Sequence, residues 1–239
     1  MLTYFANPST EQVREAMRSG LLGAIITPAQ GNKLETAFPM WCADNGCFGK
    51  GYPGDKGFLA WLDGLRPHLD RCWFAVAPDV VSDAAATLAR SVPFLPAIRA
   101  MGYRPAFVAQ NGCTPGMVPW NSISVLFLGG SKECVPCGFI RPITVADREM
   151  KRCPCCGRLL TEWKLSAAAR LLAAEAISRG IDVHMGRLNS ERRYREAFHM
   201  GCRSADGKYI AHGPDVNLPK ALAWRRVHDQ GVLFPEVAS

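Results

Sequence analysis

Eight short apolar runs alternate along the chain with longer segments in which apolar residues recur at helical spacing. Short, nearly continuous apolar runs are typical of strands that are buried in a parallel sheet. Most of these runs stop at a small group of polar residues, which marks the end of the strand. The runs predict strands at 2–6, 22–27, 40–43, 73–77, 105–109, 123–128, 181–185 and, with the weakest pattern, 202–205.

Between most of these strands the sequence predicts helices with recognisable beginnings and ends. Ser9 and Thr10 precede the first helix, and Ser190 and Glu191 open the fifth, as residues that cap a helix N-terminus do. A glycine stands just after four of the helices, where a chain often leaves a helix in the left-handed conformation. The helices are predicted at 10–19, 56–69, 84–101, 164–179, 190–199 and 218–230.

Alternation of strands and helices requires right-handed crossovers and a parallel sheet. Eight such units close a barrel, whereas an open doubly wound sheet is the alternative. No G-x-G-x-x-G motif opens a helix after the first strand, which disfavours an open sheet that binds a dinucleotide. We therefore predict an α/β fold, a (β/α)8 TIM barrel, formed by a single domain over residues 1–239.

Composition and charge narrow the class of protein. The chain has 239 residues, of which 48% are hydrophobic, and this is enough to bury a core of good size. No charged and apolar leader and no apolar run near the roughly 18 residues of a membrane span is present, so we expect a soluble, cytoplasmic protein. The net charge of +7 and the pI near 9.0 indicate a polyanionic partner.

The spacing of four cysteines is the most specific local motif. Ten cysteines without a secretion signal argue against a disulfide scaffold, because the cytosol keeps thiols reduced. Two C-x-x-C pairs have the spacing of two zinc knuckles that close a tetrahedral site of four thiolates. Such a site leaves no coordination position open for a substrate, so the Zn²⁺ is expected to be structural. It would lie in an insertion at 131–163, after the sixth strand. Ordinary reduced thiols are the alternative. The predicted ligands are Cys134, Cys137, Cys153 and Cys156, with Cys155 as a further thiol beside them.

Polar residues at the predicted strand ends form the candidate active site, because the chemistry of an α/β barrel lies where its strands end. Each of them also has an ordinary explanation as a turn, a helix cap or a core residue. Carboxylates at three strand ends, however, converge on one face of the barrel, which surface turns do not require. The residues concerned are Asp44, Asp79, Gln110, Asn111, Gly129, Gly130, His184, Met185 and Asp206.

Taken together, five short motifs resemble the tRNA-guanine transglycosylase superfamily, and most closely its compact phage and bacterial relatives that place 7-deazaguanine bases in DNA. Ala-Asp-Asn-Gly-Cys-Phe resembles the family's Asp-Ser-Gly-Gly-Phe turn, Val-Ala-Gln-Asn-Gly its Val-Gln-Gly-Gly strand end, and Phe-Leu-Gly-Gly its Leu-Gly-Gly turn. His-Met-Gly resembles the strand before the last helices, and Gly-Cys-Arg-Ser-Ala-Asp keeps the spacing from a glycine to the nucleophilic aspartate. These motifs lie at 43–48, 108–112, 127–130, 184–186 and 201–206.

The resemblance implies exchange of a base at C1′ through a covalent aspartyl-glycosyl intermediate, which is the work of a pentosyltransferase. Asp206 corresponds to the nucleophile, and Asp44 is the candidate acid and base. Asp79 is placed like a second base-recognising aspartate, and Gln110 with the amides of Gly129 and Gly130 would read the base edge. Asn111, His184 and Met185 are the remaining residues expected to bind the substrate. The incoming substrate would be a free 7-deazaguanine base such as a preQ0-type precursor.

Departures from the family bear on the polymer that is modified. The tRNA enzymes are longer and carry a zinc site of three cysteines and one histidine late in the barrel, and Arg203 stands where many relatives have an acidic residue. The length missing here is also missing tRNA-binding surface, so DNA is the expected partner, with tRNA the second choice and a free nucleoside the third. A zinc-ribbon nucleic-acid-binding protein and a hydrolytic N-glycosidase are alternatives from other classes. Basic residues that could neutralise phosphates are Lys132, Arg148, Lys151, Arg152, Arg192, Arg193 and Arg195, although the last three also suit a solvated helix face.

Overall fold

The computed structural model of the chain describes residues 2–30, 33–49, 51–141 and 150–230, with side chains up to residue 225. Eight parallel strands close into a barrel, and three short strands form a separate antiparallel sheet. The barrel strands are β1 (Thr3–Ala6), β2 (Gly23–Ile26), β3 (Trp41–Ala43), β4 (Cys72–Val76), β5 (Pro105–Ala109), β6 (Val125–Leu128), β10 (Asp182–Met185) and β11 (Ser204–Asp206); the others are β7 (Lys132–Cys134), β8 (Phe139–Ile140) and β9 (Thr161–Glu162).

Strand order around the barrel is β1-β11-β10-β6-β5-β4-β3-β2, and β1 closes the ring by pairing with both β2 and β11. All eight predicted strands are present, with ends that differ by at most two residues from the prediction. The prediction of an α/β barrel is confirmed at the level of a closed parallel barrel of eight strands surrounded by helices.

The described ranges contain seven α-helices, six between strands and α7 after the last strand. None of them has the length and apolar character that a bilayer crossing requires. The helix predicted at 84–101 is two helices, because Pro93 lacks the N–H that a continuous helix needs there. The helix predicted at 56–69 ends at Gly64 and is followed by a 3₁₀ turn at Arg66–Arg71. The helices are α1 (Glu11–Arg18), α2 (Asp55–Gly64), α3 (Ala84–Ser91), α4 (Phe94–Ala100), α5 (Ala167–Ser178), α6 (Glu191–His199) and α7 (Pro214–Gln230).

Side chains that alternate along the strands divide the apolar residues into two cores. Inside the barrel, Phe5, Phe74 and Val108 belong to one buried cluster. Outside it, the strands pack against the helices through a larger cluster that includes Trp41 and Met185. The barrel interior is therefore filled with side chains, and these form the bottom of any cavity at the strand ends.

The insertion after β6 carries the antiparallel sheet, in the order β8-β7-β9. It returns to the barrel at Trp163, whose backbone N–H donates a hydrogen bond to the Ser131 carbonyl at 3.2 Å. Cys134, Cys153 and Leu160 form a small buried cluster of their own inside it. Residues 142–149, and with them the predicted phosphate contact Arg148, lie outside the described residues.

Close packing of β2 against the barrel interior generates a stability prediction. A Cβ atom on Gly23 would lie 2.3 Å from Cε1 of the buried Phe5 ring. We expect Gly23→Ala to lower the free energy of unfolding by about 1–3 kcal/mol, as overpacking does. Gly64→Ala is the control, since Gly64 is exposed with open space around it and should change stability by less than about 1 kcal/mol. Urea unfolding measures both variants, and equal stabilities would contradict the packing described.

Candidate active site and metal centre

A cavity of about 350 Å³ opens at the carboxyl ends of the barrel strands. This end of an α/β barrel is where active sites lie, and the volume falls in the range of small-molecule sites. Its apolar wall includes Val76, Val108 and Phe127. Six of the predicted site residues line it, namely Asp44, Asp79, Gln110, Gly129, Gly130 and Asp206.

Asp44 lies directly after β3, where its backbone N–H continues the ladder by donating to the Ile26 carbonyl at 2.9 Å. Its side chain is half-buried in the cavity wall. Burial, and then the negative charges of Asp206 and Asp79, raise the pKa of Asp44 to about 7. A carboxyl group with this pKa can both release and accept a proton near neutral pH.

Asp206 ends β11 and is held from below by a histidine. His184 Nε2 lies 3.0 Å from Asp206 Oδ1, and His184 Nδ1 lies 2.8 Å from the Ser204 hydroxyl oxygen. The neutral tautomer with its proton on Nε2 satisfies both contacts, since it donates to the carboxylate and accepts from the hydroxyl. Rings of Phe127 and Phe74, with centroids 4.5 Å and 5.0 Å away, fix the imidazole. The carboxylate orientation is therefore set by the barrel interior.

This contact changes the role expected for His184. The side chain is fully buried and does not line the cavity among the described residues. Because side chains alternate along β10, His184 faces the barrel interior and Met185 faces the helices, where it is also fully buried. His184 is placed to position Asp206, and Met185 is placed as a residue of the outer core.

Asp79 is the centre of a buried hydrogen-bond network. Asn45 Nδ2 donates to Asp79 Oδ1 at 2.9 Å, and Gln110 Nε2 donates to Asp79 Oδ2 at 2.6 Å. Burial raises the pKa of Asp79, and these two amides oppose the rise. Each carboxylate oxygen has a second lone pair, so Asp79 retains capacity to accept a hydrogen bond from a ligand.

Gln110 joins three strand ends through its carbonyl oxygen. Oε1 accepts from the backbone N–H groups of Ser82 and Gly130, each at 2.8 Å. With Nε2 bonded to Asp79, the amide orientation is determined and its carbonyl is fully used. Gln110 therefore chiefly supports the cavity wall. Of its amide group, the second N–H of Nε2 is what remains to read a base edge, as was predicted for this residue.

Gly129 and Gly130 were predicted to offer backbone amides to a planar ligand, and this expectation is corrected. The N–H of Gly129 donates to the Ala109 carbonyl at 3.0 Å, and that of Gly130 is taken by Gln110. What Gly129 provides is space, because a Cβ atom there would lie 2.8 Å from Val108 Cγ1. Gly130 adopts a φ of +77°, which favours glycine.

Asn111 also differs from its predicted role, because it lies outside the cavity lining and anchors the insertion. Its Oδ1 accepts from the Ser131 N–H at 2.8 Å, and its Nδ2 donates to Glu133 Oε2 at 2.8 Å. The sequence could not indicate this contact, since the partner residues belong to the insertion. Asn111 thus fixes where the insertion leaves the barrel.

The sequence prediction missed several polar residues of the cavity. Arg187 and Asn189 follow β10, and Lys208 and His212 follow β11, so all four line the cavity from strand-end loops. The Arg187 guanidinium donates to the Gly130 carbonyl and stacks 4.6 Å from the centroid of the Phe48 ring. The same strand-end rule that indicated the aspartates would have found them, had it been extended past the first polar residue.

The four predicted metal ligands form one cluster. The sulfur atoms of Cys134, Cys137, Cys153 and Cys156 all lie within 4.8 Å of one another, and the closer pairs are separated by 3.3, 3.5 and 3.9 Å. A tetrahedral ion with metal–sulfur distances near 2.3 Å requires sulfur separations of about 3.8 Å, so the cluster fits such an ion. Cys155 is exposed and is not part of the cluster.

Two equivalent turns build the cluster. The N–H of Gly138 donates to the Cys134 carbonyl and that of Gly157 to the Cys153 carbonyl, both at 2.9 Å. These glycines have φ values of +70° and +68°, which other residues rarely adopt. Each C-x-x-C-G segment therefore presents its two sulfurs on one side, and the pairs meet face to face.

Replacement of the cysteines tests the metal centre. We expect one tightly held metal ion per chain, lost in Cys137→Ser because three thiolates bind a tetrahedral ion much more weakly than four. Cys155→Ser, the neighbouring control, should keep the metal. Elemental analysis of protein purified without added metal measures the content, and a folded wild-type protein without metal would contradict the assignment.

The pKa of Asp44 generates a prediction for stability. The pKa of Asp44 is raised to about 7 in the folded chain. The wild type therefore has its full stability below about pH 4, where the carboxyl group is protonated in both the folded and unfolded states, and it loses stability as the pH rises to about 7. Asp44→Asn cannot ionise, so at pH 8 it should be more stable than the wild type by an amount on the order of 2–4 kcal/mol. The difference should disappear near pH 4.

Chemical unfolding at several pH values measures this difference. Asp70→Asn is the control, because Asp70 is exposed and its ion pair with Arg71, at 3.6 Å, lies at the surface. A wild type that is as stable as Asp44→Asn at pH 8 would show that the carboxyl titrates at an ordinary pKa.

No protein-family model and no curated protein matches this chain. Among solved structures, the chain is similar to one in the BexX/CysO complex of Amycolatopsis orientalis, with 16% sequence identity, coverage of 100% of this chain and 95% of that chain, and a TM-score of 0.56. It also matches a candidate isomerase from Sinorhizobium meliloti in an open-loop conformation, with 11% identity, coverage of 90% and 52%, and a TM-score of 0.47. Similarity at this level of identity concerns the fold alone, and the side chains of the cavity must indicate the chemistry.

Proposed function

We propose that this protein is a base-exchange glycosyltransferase that replaces guanine in DNA with a 7-deazaguanine derivative through a covalent aspartyl-glycosyl intermediate. The observation that carries the proposal is the pairing of Asp206 and Asp44 on one cavity of nucleoside size. One carboxylate is oriented by a buried histidine, and the other has a pKa of about 7. The motifs that resemble the transglycosylase superfamily contribute these same two residues.

Asp206 is the nucleophile in this proposal. With Oδ1 bonded to His184, Oδ2 is the oxygen that attacks C1′ of the target nucleotide. The new ester bond forms as the bond between C1′ and the guanine nitrogen breaks, and the electron pair of that bond leaves with the base. Attack by the incoming base on C1′ then breaks the ester and restores the Asp206 carboxylate.

Asp44 supplies and removes the protons. In its protonated form it donates to the departing guanine, and the resulting carboxylate takes a proton from the incoming 7-deazaguanine base. The two half-reactions leave Asp44 as it began, so the exchange needs no external acid or base. A pKa of about 7 allows both roles at the same pH.

Base recognition would fall to Asp79 and the apolar wall. The free lone pairs of Asp79 accept hydrogen bonds from N–H groups on a purine edge. Val108 and Phe127 offer surfaces against which a flat ring packs. The four cysteines would hold a structural Zn²⁺, because a closed set of four thiolates leaves no position for a substrate.

DNA is the proposed polymer, and the net charge of +7 supports a polyanionic partner. The target base must leave the duplex stack to reach a cavity at the barrel end. tRNA is the second choice. Both can be offered to the same enzyme in one assay.

Exchange of labelled guanine into DNA, and in parallel into tRNA, tests the proposal. Asp206→Asn keeps the size of the side chain but removes its nucleophilic charge, so exchange should fall by at least about 10³-fold while DNA binding persists. Wild-type protein without an incoming base should form a denaturation-resistant adduct with DNA, and the variant should not.

Asp182→Asn is the matched control, because Asp182 lies at the opposite end of β10 and pairs with Arg104 at 2.6 Å. It should retain normal exchange. Near-normal exchange by Asp206→Asn would exclude this nucleophile, and a preference of tenfold or more for tRNA would replace DNA as the substrate. Release of guanine without incorporation of a base would indicate an N-glycosidase.

A further inference from the structure

A second, smaller cleft lies beside the cavity, between the insertion and the barrel. Its volume is about 120 Å³. The insertion contributes Ser131, Lys132 and Arg141 to one wall, and Gly130, Arg187 and Asn189 line both this cleft and the cavity. A group bound in the cleft would therefore lie next to a ligand in the cavity.

Charge in the cleft is strongly unbalanced. Five basic side chains line it, those of Lys132, Arg141, Lys164, Arg187 and Arg193, and Glu162 is the one acidic residue among the lining residues that the structure describes. That carboxylate already accepts two hydrogen bonds from Arg193, at 2.6 and 3.0 Å, and lies 3.8 Å from Lys164 Nζ. Even without Arg141, four basic side chains line the cleft beside this one described carboxylate, so the cleft carries a surplus of positive charge.

Lys164 shows that the cationic groups of the cleft include one that is buried and fixed by hydrogen bonds. Lys164 is 4% exposed, and its Nζ donates to the carbonyls of Gly186 at 2.6 Å and Arg187 at 3.1 Å. Burial and the nearby Arg187 charge lower the pKa of Lys164 to about 7. Concentrating cations in a partly dry cleft is unfavourable unless an anion is bound there.

We propose that this cleft is a phosphate subsite, which binds a backbone phosphate of the nucleic acid next to the target nucleotide. Planar guanidinium groups and ammonium groups from several directions match a phosphate, whose oxygens point outward tetrahedrally. The shared wall with the cavity places this phosphate beside the sugar that reacts. The assignment to a polymer phosphate rests on the proposed function, whereas the anion site itself rests on the cleft.

The insertion completes this subsite, and the four-cysteine cluster would stabilise the insertion. Lys132 begins β7 and Arg141 follows β8, so both depend on the fold of the small sheet. Asn111 and Trp163 fix the two points at which the insertion joins the barrel. Removal of the metal should therefore weaken phosphate binding even where the barrel stays folded.

Inorganic phosphate is the first probe, because its binding requires no base exchange. At constant ionic strength, calorimetric titration of wild-type protein should give saturable binding that chloride does not reproduce. Lys132→Gln and Arg141→Gln should each raise the Kd by about tenfold or more, since each removes a charged hydrogen-bond donor. Arg99→Gln on the exposed face of α4 removes the same charge away from the cleft and should leave the Kd unchanged.

Charge-preserving variants separate a binding role from a folding defect. Arg141→Lys and Lys132→Arg should recover most of the phosphate affinity, and all variants should keep the wild-type Tm within a few degrees. Absence of saturable phosphate binding in the wild type would overturn the subsite. So would equal phosphate affinity in the wild type and both glutamine variants.

Oligonucleotides with one neutral methylphosphonate linkage identify the source of the phosphate. With Asp206→Asn protein, which cannot form the adduct, a methylphosphonate next to the target guanosine should weaken binding by about tenfold. The same replacement should have little further effect when Arg141→Gln is added, because the two changes remove one contact. If inorganic phosphate binds but no methylphosphonate position matters, the polymer assignment is overturned and the cleft belongs to a free phosphate ester. A failure of base exchange alone would leave the phosphate titration unaffected.

Discussion

Parallel pairing of the short strand β11 with β1 and β10 is the constraint on which the rest of the site depends. The pairs Phe5 with Asp206 and His184 with Ser204 set the height of the last carboxylate relative to the barrel interior. A strand of three residues has little pairing of its own, so its register is determined by both neighbours. A shift by one residue would turn Asp206 away from the cavity and remove its contact with His184.

Three aspartates on one cavity repel one another, and the structure deals with each in a different way. Asp206 receives a hydrogen bond from an imidazole, and Asp79 receives two from side-chain amides. No comparable side-chain donor to Asp44 is found in the described part of the chain, and its response is a raised pKa. The three carboxyl groups therefore differ in their hydrogen-bond partners, and such differences in environment are the usual basis of acid and base assignments.

Much of this arrangement could be predicted from the sequence because it depends on local pattern. The apolar runs located all eight strands, and the residues directly after them located six residues of the cavity lining. The break between α3 and α4 was missed, although Pro93 marks it in the sequence. By contrast, the contact of Asn111 with the insertion and the bridging role of Gln110 depend on residues brought together by the fold. The inward direction of His184 and the outward direction of Met185 follow from strand alternation, once the register of β10 is known.

The fixed amide of Gln110 has a consequence for discrimination among bases. Its carbonyl oxygen is committed to two backbone donors, so on this side of the cavity a ligand meets the carboxylate oxygens of Asp79. Under the proposed function, the two oxygens of this carboxylate match a heterocycle whose edge carries adjacent N–H groups, as guanine and its 7-deaza analogues do. Adenine presents a ring nitrogen lone pair at the corresponding place, and two lone pairs facing each other without a proton are repulsive. Selection between the purines would thus be exerted by exclusion of the wrong hydrogen-bonding pattern, with no need for a larger or more closely fitting pocket.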